Sequence, residues 1–306
     1  MVAIGVDLLG SDTPGEVLLE GVLKALKHLP AKANVICFGS SHLKKNIGQN
    51  ADRIGWVETE QEIRMDDPPL EAVRHKKRSS LHLGIEALLS KTIDAFVTTG
   101  NTGALTALAC LKLELESGID RPCLMATLPT MSGETAMVDV GASTQLDPEH
   151  LMQFTELGVQ FLRTVKKIEK PKVALLNIGV ESMKGTTHHR KLFETLKMTE
   201  ENFVFVGNIE GKELFQGGVD LVVTDGFTGN VFLKSAEGMA EFLLREVKNS
   251  VVPDTFLKLQ SRFTQEVSPG ALLLGIKETL IKCHGLCTAN SFAGAILRAY
   301  QLLQKN

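Results

Sequence analysis

The chain has 306 residues, 43% of them hydrophobic and 23% charged, with a formal net charge of −3. That length and apolar content suit one large α/β domain or two intertwined lobes and exclude a disordered chain; no run of about 18 apolar residues marks a helical membrane span. One Trp, one Tyr and a near-neutral charge lack the basic field and stacking aromatics of a nucleic-acid binder, which leaves a small anionic ligand as the easier reading.

The opening, MVAIGVD, runs straight into a strand pattern with no basic leader or cleavage site, so a cytoplasmic location is expected. Cys37, Cys110, Cys123, Cys283 and Cys287 are odd in number and lie mostly in apolar segments, as reduced thiols do. Val2 to Val6 reads as a strand, broken from Asp7 to Pro14 before a helix with Val17, Leu18, Val22, Ala25 and Leu26 at helical spacing. A second strand is expected over Val35 to Phe38 and a weaker third around Trp56 and Val57. Asp66-Asp67-Pro68-Pro69 forms a stiff turn into a helix carrying Arg74-His75-Lys76-Lys77-Arg78. That basic run reads either as a solvated face or as an anion contact. Ser79 and Ser80 follow it as caps or anion donors for a helix through Leu88.

Two later stretches echo each other. Asp94 to Leu105 reads DAFVTTGNTGAL and Asp220 to Val231 reads DLVVTDGFTGNV, identical at six of twelve positions. Each passes from an apolar strand-like run into Thr-x-Gly-x-Thr-Gly and then a helical pattern, which is how an open α/β sheet delivers a strand end to a binding crevice. Both loops are expected to face one site and to act as an anion cradle, with glycines allowing close approach and helix-opening N–H groups pointing at the ligand.

Between the loops, Ala104 to Leu113 continues as a buried helix. Cys123 to Leu128 and Thr135 to Gly141 read as a hairpin, so the sheet should be mixed. Pro148 to Val165 is an amphipathic helix. Lys172 to Leu176 is a strand leading into a polar loop, Asn177 to Gly185, that offers the carboxylate of Glu181 and the amine of Lys184. Phe203 to Val206 gives one more strand. Met239, Phe242, Leu243, Val247 and Val251, then Phe256, Leu259 and Phe263, form two apolar stripes around Pro253, read as a helical hairpin over 239–266. It packs internally, on a second subunit or on a membrane surface. A last strand, Thr279 to Cys283, turns at His284-Gly285 into a terminal helix through Leu303.

No Gly-x-Gly, P-loop or Gly-x-Ser-x-Gly occurs, which removes the usual nucleotide and serine-hydrolase readings. Cys283, His284 and Cys287 lack a fourth ligand and the paired spacing of a structural zinc, so no metal or cofactor is expected. His284 reads as catalytic or as a brace for its turn. His188 and His189 read as solvated.

Taken in order, DDPPLEAVRHKKRSSL, TTGNTGALTA, DVGASTQLDPEHLMQF, ALLNIGVESMKG, GNIEG, DLVVTDGFTGNVFLK and CHG resemble the phosphate acyltransferases of bacterial phospholipid synthesis, the PlsX family. The resemblance covers most of the chain. It implies an α/β fold with three α/β/α layers and a mixed, mostly parallel sheet, like phosphotransacetylase and the isocitrate/isopropylmalate dehydrogenases, in two intertwined pseudosymmetric lobes. Ser11 stands where the family has a second glycine, and a positive φ there would be strained.

The implied reaction is attack of inorganic phosphate on the thioester of acyl carrier protein, giving acyl-phosphate for phosphatidic acid synthesis. Phosphate is itself the nucleophile, so the protein has to hold it, stabilise the tetrahedral oxyanion and help the thiol leave. The expected cradle is Asn101, Thr102 and Gly103 with Thr228, Gly229 and Asn230; Lys184 and Arg74 are the charge partners, and Asp225 or His284 manages the thiol proton. Implied partners are acyl carrier protein, phosphate, a second copy of the chain in a homodimer, and the membrane glycerol-3-phosphate acyltransferase that uses acyl-phosphate; the expected location is cytoplasmic, peripheral to the inner face of the membrane if the hairpin lies on it. Alternatives are a phosphotransacetylase-type enzyme acting on acyl-coenzyme A and a non-catalytic scaffold recruiting partners to membrane.

Overall fold

The computed structural model describes residues 2–59, 61–143, 147–199, 201–248, 250–261 and 270–305. The chain divides into two compact units, Met1–Gly118 with Ser268–Asn306, and Ile119–Val267. The first is assembled from both ends of the chain and the second is inserted within it.

In the first unit the chain alternates strand and helix: β1 (Val2–Asp7), α1 (Gly15–Leu26), β2 (Ala33–Gly39), α2 (Ser41–Lys44), β3 (Ile54–Glu58), α3 (Pro69–His75), α4 (Ser80–Leu89), β4 (Ala95–Thr98) and α5 (Thr102–Lys112). The inserted unit supplies β5 (Cys123–Thr130), β6 (Gly133–Val138), α6 (Pro148–Thr164), β7 (Lys172–Leu176), α7 (Thr187–Met198), β8 (Val204–Ile209), α8 (Gly211–Leu214), β9 (Leu221–Val223), α9 (Gly226–Val247) and α10 (Pro253–Ser261). The chain then returns to the first unit with β10 (Ala271–Leu274), β11 (Thr279–Lys282) and α11 (Ala289–Leu303).

Strand order in the first unit is β3-β2-β1-β4-β11-β10, parallel except for β10, which runs antiparallel to β11. In the second it is β5-β6-β9-β7-β8, parallel except for the β5–β6 hairpin. The β5–β6 hairpin makes the strands of the second unit mixed as its pattern requires, and in the first unit β10 does so. β4 and β9 are buried at every residue, the mark of strands covered on both faces, and each is central in its unit. In the first unit Phe38 and Phe96 meet edge to face at 5.8 Å, a contact adding about 1 kcal/mol to their burial. α4 comes down on that pair at Gly84, where a Cβ would lie 2.1 Å from the Phe96 ring.

An aspartate opens each central strand in the same way. Asp94 accepts Ala3 N–H at 2.8 Å and donates its own N–H to Ala3 O at 2.8 Å. Asp220 does so with Lys172, at 2.7 and 2.9 Å. The echo in sequence is thus an echo in strand-end chemistry.

Two elements depart most from the sequence reading. β10 is additional; ALLL is short and uniformly apolar, without the alternation that signals a strand. α9 begins at Gly226, well before Met239, because the second echo loop opens directly into the helix. The apolar stripe of the hairpin is exposed at Met239, Phe242, Leu243 and Leu259; residues 262–266, with Phe263, lie outside the described residues. Ser11 is not at positive φ. The left-handed residue is Gly10 at +69°, and the Ser11 hydroxyl donates to Gly285 O at 2.8 Å.

Candidate active site

The first echo loop grows from β4. Thr98 Oγ1 donates to Asp7 Oδ2 at 2.8 Å and accepts Gly100 N–H at 3.0 Å. Asp7 ends β1, the neighbouring strand, and also accepts Leu9 N–H at 3.0 Å and a bond from Ser80. Burial pushes its carboxyl up to about 6, against these hydrogen bonds and the charge of Lys282. Lys282 ends β11, the strand on the other side of β4. Its ammonium is buried and donates to the carbonyl oxygens of Thr99 and Cys283. Thr99 Oγ1 is buried with no hydrogen-bond partner among the described residues.

Asn101 caps α5, its Oδ1 accepting Ala104 N–H at 3.0 Å. Its amide nitrogen donates to the carbonyl oxygens of Arg64, Met65 and Asp67 at 3.1 to 3.2 Å. The carboxamide is therefore engaged in building the loop, and what the loop presents are the N–H groups of Thr102 and Gly103, which have no partner among the described residues. Those are the groups a helix start uses to bind an anion. Gly103 is exposed, and a Cβ there would lie 2.7 Å from Cγ of Pro69, the first residue of α3. α3 packs on α5 and carries Arg74 exposed, whereas Lys76 is tied to Asp67 at 2.5 Å. Ser79 caps α4 by accepting His82 N–H at 3.3 Å. His284 is exposed on the turn after β11, its Nδ1 accepting Leu286 N–H at 3.1 Å. This bond places the proton of the neutral ring on Nε2.

The second echo loop grows from β9 but is capped differently. Asp225, not the residue aligned with Asn101, is the N-cap: Oδ1 accepts Thr228 N–H at 2.9 Å and Oδ2 the Thr228 hydroxyl at 2.6 Å. Gly229 N–H goes to Asp225 O at 2.8 Å. α9 consequently starts two aligned positions earlier than α5, and the N–H groups without a partner among the described residues are those of the buried Gly226 and the exposed Phe227. The expected cradle atoms of Thr228 and Gly229 are thus occupied by the cap. Gly229 serves packing, since a Cβ would sit 2.0 Å from Asp139 O. Asn230 lies over Gly141, whose φ is +130°.

Asp139 follows β6 as Asp7 ends β1. It accepts N–H groups of Leu124, Gly141, Ala142 and Ser143 at 2.9 to 3.1 Å, and burial pushes it up to about 6. In the same unit, Lys184 stands 4.0 Å from Glu181 on the polar loop, about half exposed, while Asn177 Nδ2 donates to Lys184 O at 3.1 Å. His189, at the start of α7, bonds Thr186 Oγ1 at 2.8 Å. Burial lowers its pKa while the charge of Asp225 raises it, so His189 is half-buried beside that carboxylate and not simply solvated.

Each unit therefore gathers its own part of the candidate set: Arg74, Asn101, Thr102, Gly103 and His284 in the first, Lys184, Asp225, Thr228, Gly229 and Asn230 in the second. Sequence reasoning missed Asp7, Asp139, Lys282 and His189. The only local signal for the first three is a charged residue at the end of an apolar run. No group of three metal-ligating side chains occurs among the described residues.

A family described as fatty acid synthesis protein matches residues 2–306. The phosphate acyltransferase of Thermoanaerobacter pseudethanolicus is 37% identical over 97% of this chain and 92% of its own, and that of Chlamydia abortus is 37% identical over 99% and 96%. This chain belongs to the phosphate acyltransferase family. Among solved structures, a branched-chain phosphotransacylase from Enterococcus faecalis aligns over 98% of both chains with a TM-score of 0.63 and 14% identity, which shows a shared fold. The fold class is the three-layer, mostly parallel α/β class of the phosphotransacetylases. The family match spans both units.

Proposed function

We propose that this protein transfers the acyl group of acyl carrier protein to inorganic phosphate, releasing acyl-phosphate and the carrier thiol for phosphatidic acid synthesis. Membership of the phosphate acyltransferase family over residues 2–306 carries the reading. The helix starts that leave Thr102, Gly103, Gly226 and Phe227 N–H groups open support it, because oriented N–H donors suit an oxyanion and phosphate oxygens.

Phosphate attacks the thioester carbon, the carbonyl oxygen takes the negative charge, and the C–S bond breaks as the tetrahedral intermediate collapses. Thr102 and Gly103 bind through their N–H groups and Asn101 shapes the loop that presents them. Arg74 and Lys184 supply positive charge, and Asn230 a neutral donor. His284 Nε2–H donates a hydrogen bond to the departing sulfur, and the proton that hydrogen phosphate loses on acylation completes the carrier thiol, while Asp225, held by Thr228, sets the start of α9 and the charge beside His189.

Incubating the pure protein with acyl carrier protein thioester and phosphate, and trapping acyl-phosphate as hydroxamate, tests the proposal. Product from the carrier thioester, with poor turnover of the coenzyme A thioester, is expected. The reverse preference would make it a phosphotransacetylase-type enzyme, and no product from either would leave the scaffold reading. The proposal includes a homodimer and hand-over of acyl-phosphate to the membrane glycerol-3-phosphate acyltransferase; the exposed stripe of Met239, Phe242 and Leu243 supports a peripheral membrane contact. Among the described residues no helix is long and apolar enough to cross a membrane.

A further inference from the structure

Lys282 ends β11 with its side chain buried at 7% exposure. An ammonium removed from water is costly unless hydrogen bonds and an opposite charge compensate it. Nζ donates to Thr99 O at 3.3 Å and to Cys283 O, and it faces the charge of Asp7. Asp7 in turn receives the Thr98 hydroxyl, and Thr98 Oγ1 receives Gly100 N–H. The single peptide between Thr99 and Gly100 is therefore gripped at its carbonyl by Lys282 and at its N–H by the Thr98–Asp7 pair. The next residue is the α5 cap, and the two after it carry the open N–H groups. A peptide plane held at both ends fixes the direction in which those groups leave the sheet.

Stability alone does not account for this arrangement, because well-packed apolar residues commonly replace a buried ion pair without loss. A cation under a helix start adds to the positive end of the helix dipole, and so to its hold on an anion. We propose that Lys282 is a positioning residue of the anion-binding loop: it clamps the Thr99–Gly100 peptide so that Thr102 and Gly103 N–H groups are aimed at phosphate. It touches neither phosphate nor thioester. This assignment rests on phosphate being the ligand of the loop.

The test measures inorganic phosphate binding to the full chain by calorimetry, together with steady-state kinetics on carrier thioester. Lys282→Met should weaken phosphate binding and raise the phosphate KM by about tenfold or more, the size of a charged hydrogen bond, with the carrier KM unchanged. Lys282→Arg, which keeps the charge, should recover most of the loss. Because Lys282→Met strands Asp7, the double variant Asp7→Asn/Lys282→Met removes both charges and gives the same reading if the single variant does not fold. Phosphate bound by either neutral variant as tightly as by the wild type overturns the proposal. So does a wild type that binds no phosphate, or failure of both neutral variants to fold, which would make the pair structural. A wild type that binds phosphate, weakened in the variants, yet forms no acyl-phosphate, leaves Lys282 in its role and removes the acyl-transfer reading.

Discussion

The Thr228 hydroxyl donates to the Asp225 carboxylate at 2.6 Å, and the N–H of the same threonine reaches the other carboxylate oxygen at 2.9 Å. Asp225 is thereby the cap of α9. Asp225→Ala should cost about 1 kcal/mol, and Asp225→Asn, which keeps an acceptor for Thr228 N–H, a few tenths, read by urea unfolding. Turnover should survive Asp225→Asn within a few-fold. A large loss of kcat at unchanged stability would return Asp225 to proton transfer.

Gly103 and Gly229 align in sequence, but their substitution should separate. A Cβ at Gly229 meets the main-chain oxygen of Asp139 at 2.0 Å, whereas one at Gly103 meets, at 2.7 Å, the exposed ring of Pro69 that opens α3. Gly229→Ala is expected to destabilise by about 1–3 kcal/mol, the range for overpacking against an unyielding neighbour. Gly103→Ala should cost less stability than Gly229→Ala, because the exposed Pro69 ring rather than main chain has to give, and should raise the phosphate KM. Thermal melts alongside phosphate titrations decide it.

His284 combines a bracing bond at Nδ1 with exposure of the ring. His284→Asn offers an oxygen to Leu286 N–H but removes the ring Nε2–H that would hydrogen-bond the departing sulfur. Its kcat should fall by on the order of 100-fold, the size of losing one donor to developing negative charge, with phosphate KM little changed. Retention of full kcat would leave the residue as a brace.

The basic run should divide by environment. Lys77 and Arg78 are exposed, so neutral variants should raise the KM for the acidic carrier at low salt and show little effect at high salt. Lys76 is committed to Asp67 and its loss should affect the 64–67 loop. Neutralising Arg74, on the helix packed against α5, should weaken phosphate use by an amount that salt barely changes. Kinetics of the single variants at two ionic strengths resolve the roles.

Asp7 and Asp139 carry raised carboxyls, each at about 6 against 3.8. The folded state holds the proton more tightly than the unfolded chain, so stability falls as pH rises from about 4 to about 6 and is level above. Relative to Asp7→Asn, which does not titrate there, wild-type stability should decline by up to about 1.4 kcal/mol per pH unit within that window. Urea unfolding from pH 4 to 7 measures the slope; parallel curves for the two proteins would show that Asp7 titrates normally.

Much of the architecture follows from local pattern. Strand runs, the Pro68-Pro69 helix start, the β5–β6 hairpin and the two loops are legible because apolar period, turn residues and capping side chains act over a few positions. The family resemblance is likewise carried by short ordered segments. What those segments could not state is which atoms remain open once folded. Asn101 and Phe227 align, yet only Asn101 can cap; the cap passes to Asp225, the start of α9 shifts, and a different pair of N–H groups is presented. Lys282 and Asp7 lie far apart in the chain, and β4 comes between their strands only when the sheet forms. Burial and charge pairing arise from such non-local strand pairing, so the sequence by itself determined the loops and their family, while the tertiary structure decided which of their groups are spent on the scaffold and which are left for a ligand.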